Sequence, residues 1–342
     1  MQRLKENVMT PIKMSLDDIG RLSLNAFIHN GFSLKQASAI ADVVTRAEAD
    51  NCASHGLYRV PGYVSAVLAG RANGLAEPTV AQQAPSVLRV DGDGGFAPLA
   101  VDTGCPDLIA LARRQGIAAM AIGNTHHFSA LWADLEPIVD AGLVVWCFVV
   151  GQCAVAPHGG THRLMGTNPI GFGWPRPNGG AFIFDFATSA AARGEVELKR
   201  LSNERIPQGW GIDAKGRPTT DPAEALAGAL LPFGGHKGSA LSMMVELIAG
   251  PLIREKTSSE VAQLGISDGG PPPGGELFVV VDPTAFGSDA RTVGEAFFKE
   301  ATAQAGVRLP SARRHAARMK SRESGVEVPL QLVREIEDLC RS

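Results

Sequence analysis

Paired cysteines, long apolar runs, a basic surplus and the familiar nucleotide-binding glycine strings are all missing from this chain of 342 residues. Its five cysteines, Cys52, Cys105, Cys147, Cys153 and Cys340, are odd in number and never form C-x-x-C. That argues against a disulfide scaffold or a zinc knuckle and for a reduced, cytoplasmic protein. The longest apolar run, residues 143–150, is too short to cross a bilayer, and residues 1–13 lack the hydrophobic centre of a signal peptide. With 32 Lys and Arg against 35 Asp and Glu, the net charge is -3, so no global field draws in nucleic acid or an anionic membrane.

The generic motifs are absent too. A Rossmann fold should open with G-x-G-x-x-G after a strand. The nearest string, Gly92-Asp93-Gly94-Gly95-Phe96-Ala97, ends in Ala, carries an acid and runs into Pro98, so it reads as a turn. There is no phosphate-binding G-x-x-x-x-G-K-[ST]. Gly265-Ile266-Ser267-Asp268-Gly269 matches G-x-S-x-G but leads into prolines, not a helix, and is read as chance. No metal is expected. His126 and His127 are adjacent and diverge, Gly159-Gly160 breaks any helix aligning His158 with His162, and no carboxylate cluster lies nearby in sequence.

What the chain does have is ordinary globular composition, 45% hydrophobic, with 39 Gly and 22 Pro that suit tight turns and close backbone approaches. Ser15 and Ser33 cap two predicted helices, Asn30-Gly31 separates them, and Pro61 opens a third. From about residue 85, apolar runs at 87–90, 118–122, 143–150, 181–186 and 277–281 alternate with helical stretches, which predicts an α/β layer with a buried sheet. Residues 269–275 read as a mobile or surface loop, and Pro329 precedes a last helix. The terminal helices are expected to form one layer.

Four segments carry polar chemistry. In Ser54-His55-Gly56-Leu57-Tyr58-Arg59, Arg could fork onto a carboxylate while His protonates the neighbouring atom; equally, the pair could flank a helix start in solvent. Asn124 to Leu131 follows a predicted strand, where α/β folds bind ligands, or is a plain turn with a buried Phe128. The small residues of Gly166-Thr167-Asn168-Pro169-Ile170-Gly171-Phe172-Gly173 would let a ring lie against backbone, and Asp185 either caps a helix or contacts a ligand. Gly234-Gly235-His236-Lys237 feeds a helix N-terminus and suits an anion.

In this order, Ser54-His55-Gly56 with Arg59, Gly166-Thr167-Asn168-Pro169, Asp185-Phe186-Ala187-Thr188-Ser189 and Gly235-His236-Lys237-Gly238 resemble the type-2 malate/L-lactate dehydrogenase family of NAD(P)-dependent oxidoreductases, from about Ser15 to the C-terminus. Within it, His126-His127-Phe128-Ser129-Ala130-Leu131-Trp132 with Glu136-Pro137 looks most like the Δ1-piperideine-2-carboxylate/Δ1-pyrroline-2-carboxylate reductases. The resemblance implies an α/β, non-Rossmann nicotinamide-binding fold with a mixed sheet, plus a helical layer from the terminal segments, in a homodimer. Residues 1–120 with 300–342 would form the helical, substrate and dimerisation part, and 121–299 the NAD(P)H-binding part. The implied reaction is reduction of a cyclic ketimine carboxylate to L-pipecolate or L-proline with NADPH, NADH being possible.

By the same resemblance, Ser54, His55 and Glu195 form the proton relay, and Arg59, Thr167, Arg193 and Gly194 contact substrate. Cofactor contacts fall on His127, Phe128, Ser129, Ala130 and Leu131, on Asp185, Phe186 and Ala187, and on His236 and Lys237. They continue through Arg308, Leu309, Pro310, Ser311, Ala312, Arg313 and Arg314, a basic stretch without acid that suits a 2′-phosphate or forms a solvated helix face. Arg193-Gly194-Glu195 departs from the His-Gly-Asp that these reductases tend to carry, which puts substrate identity in question. A malate- or L-lactate-type 2-hydroxyacid dehydrogenase using the same His55 and Arg59 is the runner-up, and a non-catalytic binder of the same fold is the third reading.

Overall fold

The computed structural model of the chain describes residues 11–177, 180–266, 269–287 and 289–341. Seven strands form the central sheet: β2 (Thr79–Ala84), β3 (Val87–Asp91), β4 (Ile117–Gly123), β5 (Val144–Val149), β6 (Ile170–Trp174), β7 (Phe182–Phe186) and β11 (Glu276–Val281). Their order is β2-β3-β4-β11-β5-β6-β7, mixed as expected: only β3 and β4 run parallel, joined over the helix Ala97–Gln115. β11 lies antiparallel between β4 and β5, so both of those strands end at the edge where β11 begins, with Glu276 facing Ile122 and Val149.

One face of the sheet packs on the helices Ala97–Gln115 and Leu131–Asp140 through Leu108, Leu111, Met120, Ile122, Trp132, Leu135 and Phe278. The other takes Val245 and Ala249 of the helix His236–Ala249 against Val150 and Ile170. Burial on both faces explains why β4, β5 and β11 read as continuous apolar runs.

The terminal segments do form one layer. Helices Leu16–His29, Leu34–Ala49 and Val60–Leu68 share a core of Phe27, Ile40, Leu57 and Tyr63 with Val333 and Ile336 of the last helix, Leu330–Leu339. β1 (Pro11–Met14) pairs with β12 (Val326–Pro329) and ties the two ends together. Ser15 and Ser33 cap as expected, accepting from the backbone N–H of Asp18 and Gln36. A small unit with β8 (Gly211–Ile212), β9 (Pro218–Thr219) and β10 (Ala229–Leu230) has its own core around Val155, Val196 and Leu230.

Residue 120, the expected boundary between two parts, falls inside β4, and the central sheet draws strands from both sides of it. The proline-rich stretch differs from the expectation. Residues 271, 272, 274 and 275 are buried, not a surface loop. His127 donates its N–H to Pro272, and Arg71 donates to the Pro271 carbonyl. Proline has no N–H to leave unsatisfied, so such a segment enters the interior at little cost. Ser267 and Asp268 of the G-x-S-x-G string lie outside the described residues.

Candidate active site

At the edge where β4 and β5 end and β11 begins, a cavity of about 470 Å³ opens between sheet and helical layer. Ligands in α/β folds bind at such strand ends. The helical layer contributes Ser54, His55, Tyr58 and Arg59 from two consecutive 3₁₀ turns, Ala53–His55 and Leu57–Arg59. The segment after β4 contributes His127, Phe128 and Ser129, and that after β5 contributes Gly151 and Gln152. Thr167, Arg193, Gly194, Glu197 and Pro272 complete the wall.

Ser54 Oγ and His55 Nδ1 are 3.1 Å apart. With the serine hydroxyl donating, Nε2 of His55 keeps its hydrogen and is the nitrogen able to donate. Burial, then the positive charge of Arg59 and the imidazole of His127, pull the His55 pKa down to about 3. Arg59 donates Nε–H to the Ser54 carbonyl at 2.6 Å, and its guanidinium lies 4.3 Å from the Phe128 ring centre. It has no carboxylate partner among the described residues, and burial lowers its pKa. An unpaired, half-buried guanidinium beside a neutral imidazole is set up to receive an anion. Gly194 leaves the room: a Cβ there would lie 3.1 Å from Arg59 Nη2.

Behind His127 stands a cluster that sequence reasoning missed. His127 Nε2 is 3.6 Å from Glu276 Oε2 and 4.0 Å from Asp134 Oδ2, all three side chains being buried. Ser129 donates to both oxygens of Asp134, and the Cys147 thiol donates to Glu276 Oε1. His127 Nε2 and Glu276 Oε2 are left without a hydrogen bond. Burial, then the Glu276 carboxylate, push the Asp134 carboxyl well above the usual range. The three donor atoms lie close enough to approach one cation. The other oxygens accept from Ser129 and Cys147, and 3.6 Å is too long for a direct hydrogen bond between His127 Nε2 and Glu276 Oε2. The available signal was Glu276, an acid heading an otherwise apolar strand.

The other expected contacts divide. Thr167 lines the cavity, but Asn168, at φ 41°, is scaffold: its amide donates to Ser242 and Glu246, and its oxygen accepts the Gly151 N–H. Arg193 and Gly194 reach the cavity from the first turn of the helix Arg193–Leu201. Glu195 does not line the cavity; it is exposed and makes no hydrogen bond to Ser54 or His55. Glu197 lines it instead, paired with Arg200. Ala130 and Leu131 are buried where the helix Leu131–Asp140 begins.

Asp185 is held by Arg314 at 2.9 Å, and Ser311 bonds both the N–H and the carbonyl of Ile183 on β7. This stretch therefore docks on the sheet edge, with Leu309 half-buried, Pro310 and Ala312 exposed beside it, and Phe186 and Ala187 following Asp185. Arg308 and Arg313 are exposed without an ion pair among the described residues. His236 and Lys237 open the helix His236–Ala249 after Gly234 and Gly235, both at positive φ, and Lys237 is exposed. A Cβ on Gly238 would meet the Phe233 carbonyl at 1.9 Å, so only glycine permits this close entry of loop into helix. First-turn amides beside an exposed ammonium fit the phosphates of a nicotinamide dinucleotide.

Residues 14–337 match the malate/L-lactate dehydrogenase family. The chain is 58% identical over 333 residues to the Δ1-pyrroline-2-carboxylate reductase of Ancylobacter novellus, covering 96% of this chain and 98% of that one. It is 46% identical to the Δ1-pyrroline-2-carboxylate/Δ1-piperideine-2-carboxylate reductase of Pseudomonas aeruginosa, covering 95% and 98%. Among solved structures, the Δ1-piperideine-2-carboxylate reductase of Pseudomonas syringae pv. tomato superposes with a TM-score of 0.92 at 38% identity, covering 96% of this chain and 99% of that one.

Proposed function

The chain belongs to the malate/L-lactate dehydrogenase family and is an oxidoreductase, and from that premise we propose that it reduces cyclic 2-imino carboxylates with NADPH. The substrates in view are Δ1-pyrroline-2-carboxylate and Δ1-piperideine-2-carboxylate, and the products L-proline and L-pipecolate. The observation that carries this reading is Arg59: a charged fork without a carboxylate partner, in one cavity with His55.

The bound nicotinamide supplies a hydride to the imine carbon. The protein's own part is to anchor, to align and to supply a proton. Arg59 takes the substrate carboxylate, which cancels the positive charge that helps hold His55 neutral. His55 can then carry a proton and pass it from Nε2 to the ring nitrogen, with Ser54 fixing the imidazole through Nδ1. Thr167 and Arg193 border the same space and are assigned to substrate. Lys237, Arg308 and Arg313 support the preference for NADPH, because a 2′-phosphate needs free cations.

Two coarser points go with this reading. The exposed apolar side chains Met243, Leu247 and Leu252 suit a second copy of the chain and a homodimer. Among the described residues no helix is long and apolar enough to cross a membrane, and a cytoplasmic location accords with the five free thiols.

The test is oxidation of NADPH, and separately of NADH, with each cyclic imine, with pyruvate and with oxaloacetate. Faster turnover of the 2-oxo acids than of both imines overturns the substrate assignment in favour of a 2-hydroxyacid dehydrogenase.

A further inference from the structure

Glu48 is a buried acid that the chemistry above does not use. It sits at the end of the helix Leu34–Ala49, where a carboxylate opposes the helix dipole, and it is only 4% exposed. It has no cationic partner among the described residues. Its Oε1 instead accepts the backbone N–H of Leu57 at 2.7 Å, the first residue of the second of the two 3₁₀ turns that carry Ser54, His55 and Arg59.

Gly56 reinforces the point. Its φ of -89° is not left-handed, and what crowds the position is a side chain. A Cβ on it would lie 2.0 Å from Glu48 Oε1, 2.5 Å from its Cδ and 2.8 Å from its Cγ. The backbone of the proton-donor loop is thus seated directly on the carboxyl group. An acid kept in such a place, against desolvation and the helix dipole, needs a compensating role.

We infer that Glu48 is the positioning residue of the proton-donor loop: by accepting the Leu57 N–H under Gly56, it fixes the spacing between the His55 donor and the Arg59 anchor. It touches neither substrate nor cofactor. Burial raises its carboxyl to about 7, and what the Leu57 N–H requires is an acceptor oxygen, which the group offers in either protonation state. A glutamine, which has an acceptor oxygen at the same reach and cannot ionise, should therefore replace it. An aspartate should not, because its oxygen is withdrawn by one bond, about 1.5 Å.

The inference rests on the roles given to His55 and Arg59, so the experiment separates the two. Wild type, Glu48→Gln, Glu48→Asp and Gly56→Ala are compared by kcat and KM for Δ1-pyrroline-2-carboxylate with NADPH, by NADPH binding through fluorescence, and by the His55 imidazole titration in NMR. Glu48→Gln should keep kcat within about threefold. Glu48→Asp and Gly56→Ala should lose about tenfold to a hundredfold in kcat, the scale of a small misplacement of reacting groups. Their NADPH binding should be unchanged, and their His55 titration should move up towards the ordinary histidine range.

A wild type that ignores cyclic imines sinks the proposed substrate and leaves the His55 titration to decide on Glu48. An active wild type with Glu48→Asp unchanged in both kcat and His55 titration overturns the positioning role. Should Glu48→Asp fail to fold, Gly56→Ala, which leaves the carboxyl in place and lifts the loop, decides between the two outcomes.

Discussion

Replacing Arg59 by Lys keeps one positive charge in the cavity and removes everything else that the guanidinium does there. Arg59 commits Nε–H to the Ser54 carbonyl at 2.6 Å and lies over Phe128 at 4.3 Å. Its two terminal nitrogens are thereby held as a fork. An ammonium has no planar fork and cannot make the Ser54 bond and two parallel bonds to a carboxylate from one geometry. The loss is at least one charge-assisted hydrogen bond, about 1.5–3 kcal/mol, or roughly tenfold to a hundredfold in affinity. We expect KM for Δ1-pyrroline-2-carboxylate to rise by that factor in steady-state NADPH oxidation, with cofactor binding preserved. The Ser54 backbone also loses its tether, so kcat should fall as well, though by less than for a His55 variant. Arg193→Ala is the companion measurement, since Arg193 is the other cation on this wall. An unchanged KM in Arg59→Lys, with a large rise in Arg193→Ala, would refute the anchor assigned to Arg59.

His55→Phe should cut kcat by roughly 10²–10⁴-fold while NADPH still binds. The folded-state pKa of His55 lies below its unfolded value, so its contribution to stability is present above about pH 6.5 and is lost as pH falls towards about 3. Between about pH 6.5 and pH 5 the wild type should therefore lose up to about 2 kcal/mol that His55→Phe does not, read from urea unfolding; parallel curves would contradict the buried neutral imidazole. Arg313→Ala should weaken NADPH use selectively, whereas Arg314→Ala, which frees Asp185, should impair both cofactors alike; equal losses from both variants would remove Arg313 from the 2′-phosphate. Arg318→Ala strands the fully buried Asp50 carboxylate and should cost about 3–5 kcal/mol, a wild-type unfolding midpoint being the contrary result.

How far the sequence revealed this molecule depended on whether a signal was local. β4 and β11 were legible because burial on both faces demands unbroken apolar runs. β6 was not, because its glycines imitate a ligand cradle. They are required by packing: a Cβ on Gly171 would sit 2.9 Å from Leu135 Cδ1, and one on Gly173 would sit 2.3 Å from Val139 Cγ2. The edge strand β2, mostly exposed and without alternation, offered no pattern to read. Ser54, His55 and Arg59 could be singled out because one short segment carries all three, and they line one cavity. Glu276 escaped because only the sheet register brings it to His127, whereas Asp134 lies seven residues on, in the helix that follows.

The same geometry explains why the cavity lies where two layers meet. The helical layer brings His55 and Arg59 to the cavity and the sheet supplies the floor, so the proposed proton transfer and anion anchoring demand a fixed alignment between them. Apolar contact alone is poorly suited to that task, because it tolerates sliding. Here the seam is polar. Arg318 grips Asp50 with two nitrogens and also reaches Glu136, which Arg46 holds from the next turn of the helix Leu34–Ala49. Arg46, Arg314 and Arg318 all lie against the ring of the buried Trp132, and Arg314 carries the chain of contacts on to Asp185 of β7. Opposite charges thus meet in matched pairs around one aromatic plate. Such an array adds little net stability over an apolar one, but it penalises every register except one. Asp50 stands two residues beyond Glu48 on the same chain, so the seam and the support of the proton-donor loop are fixed by a single helix end.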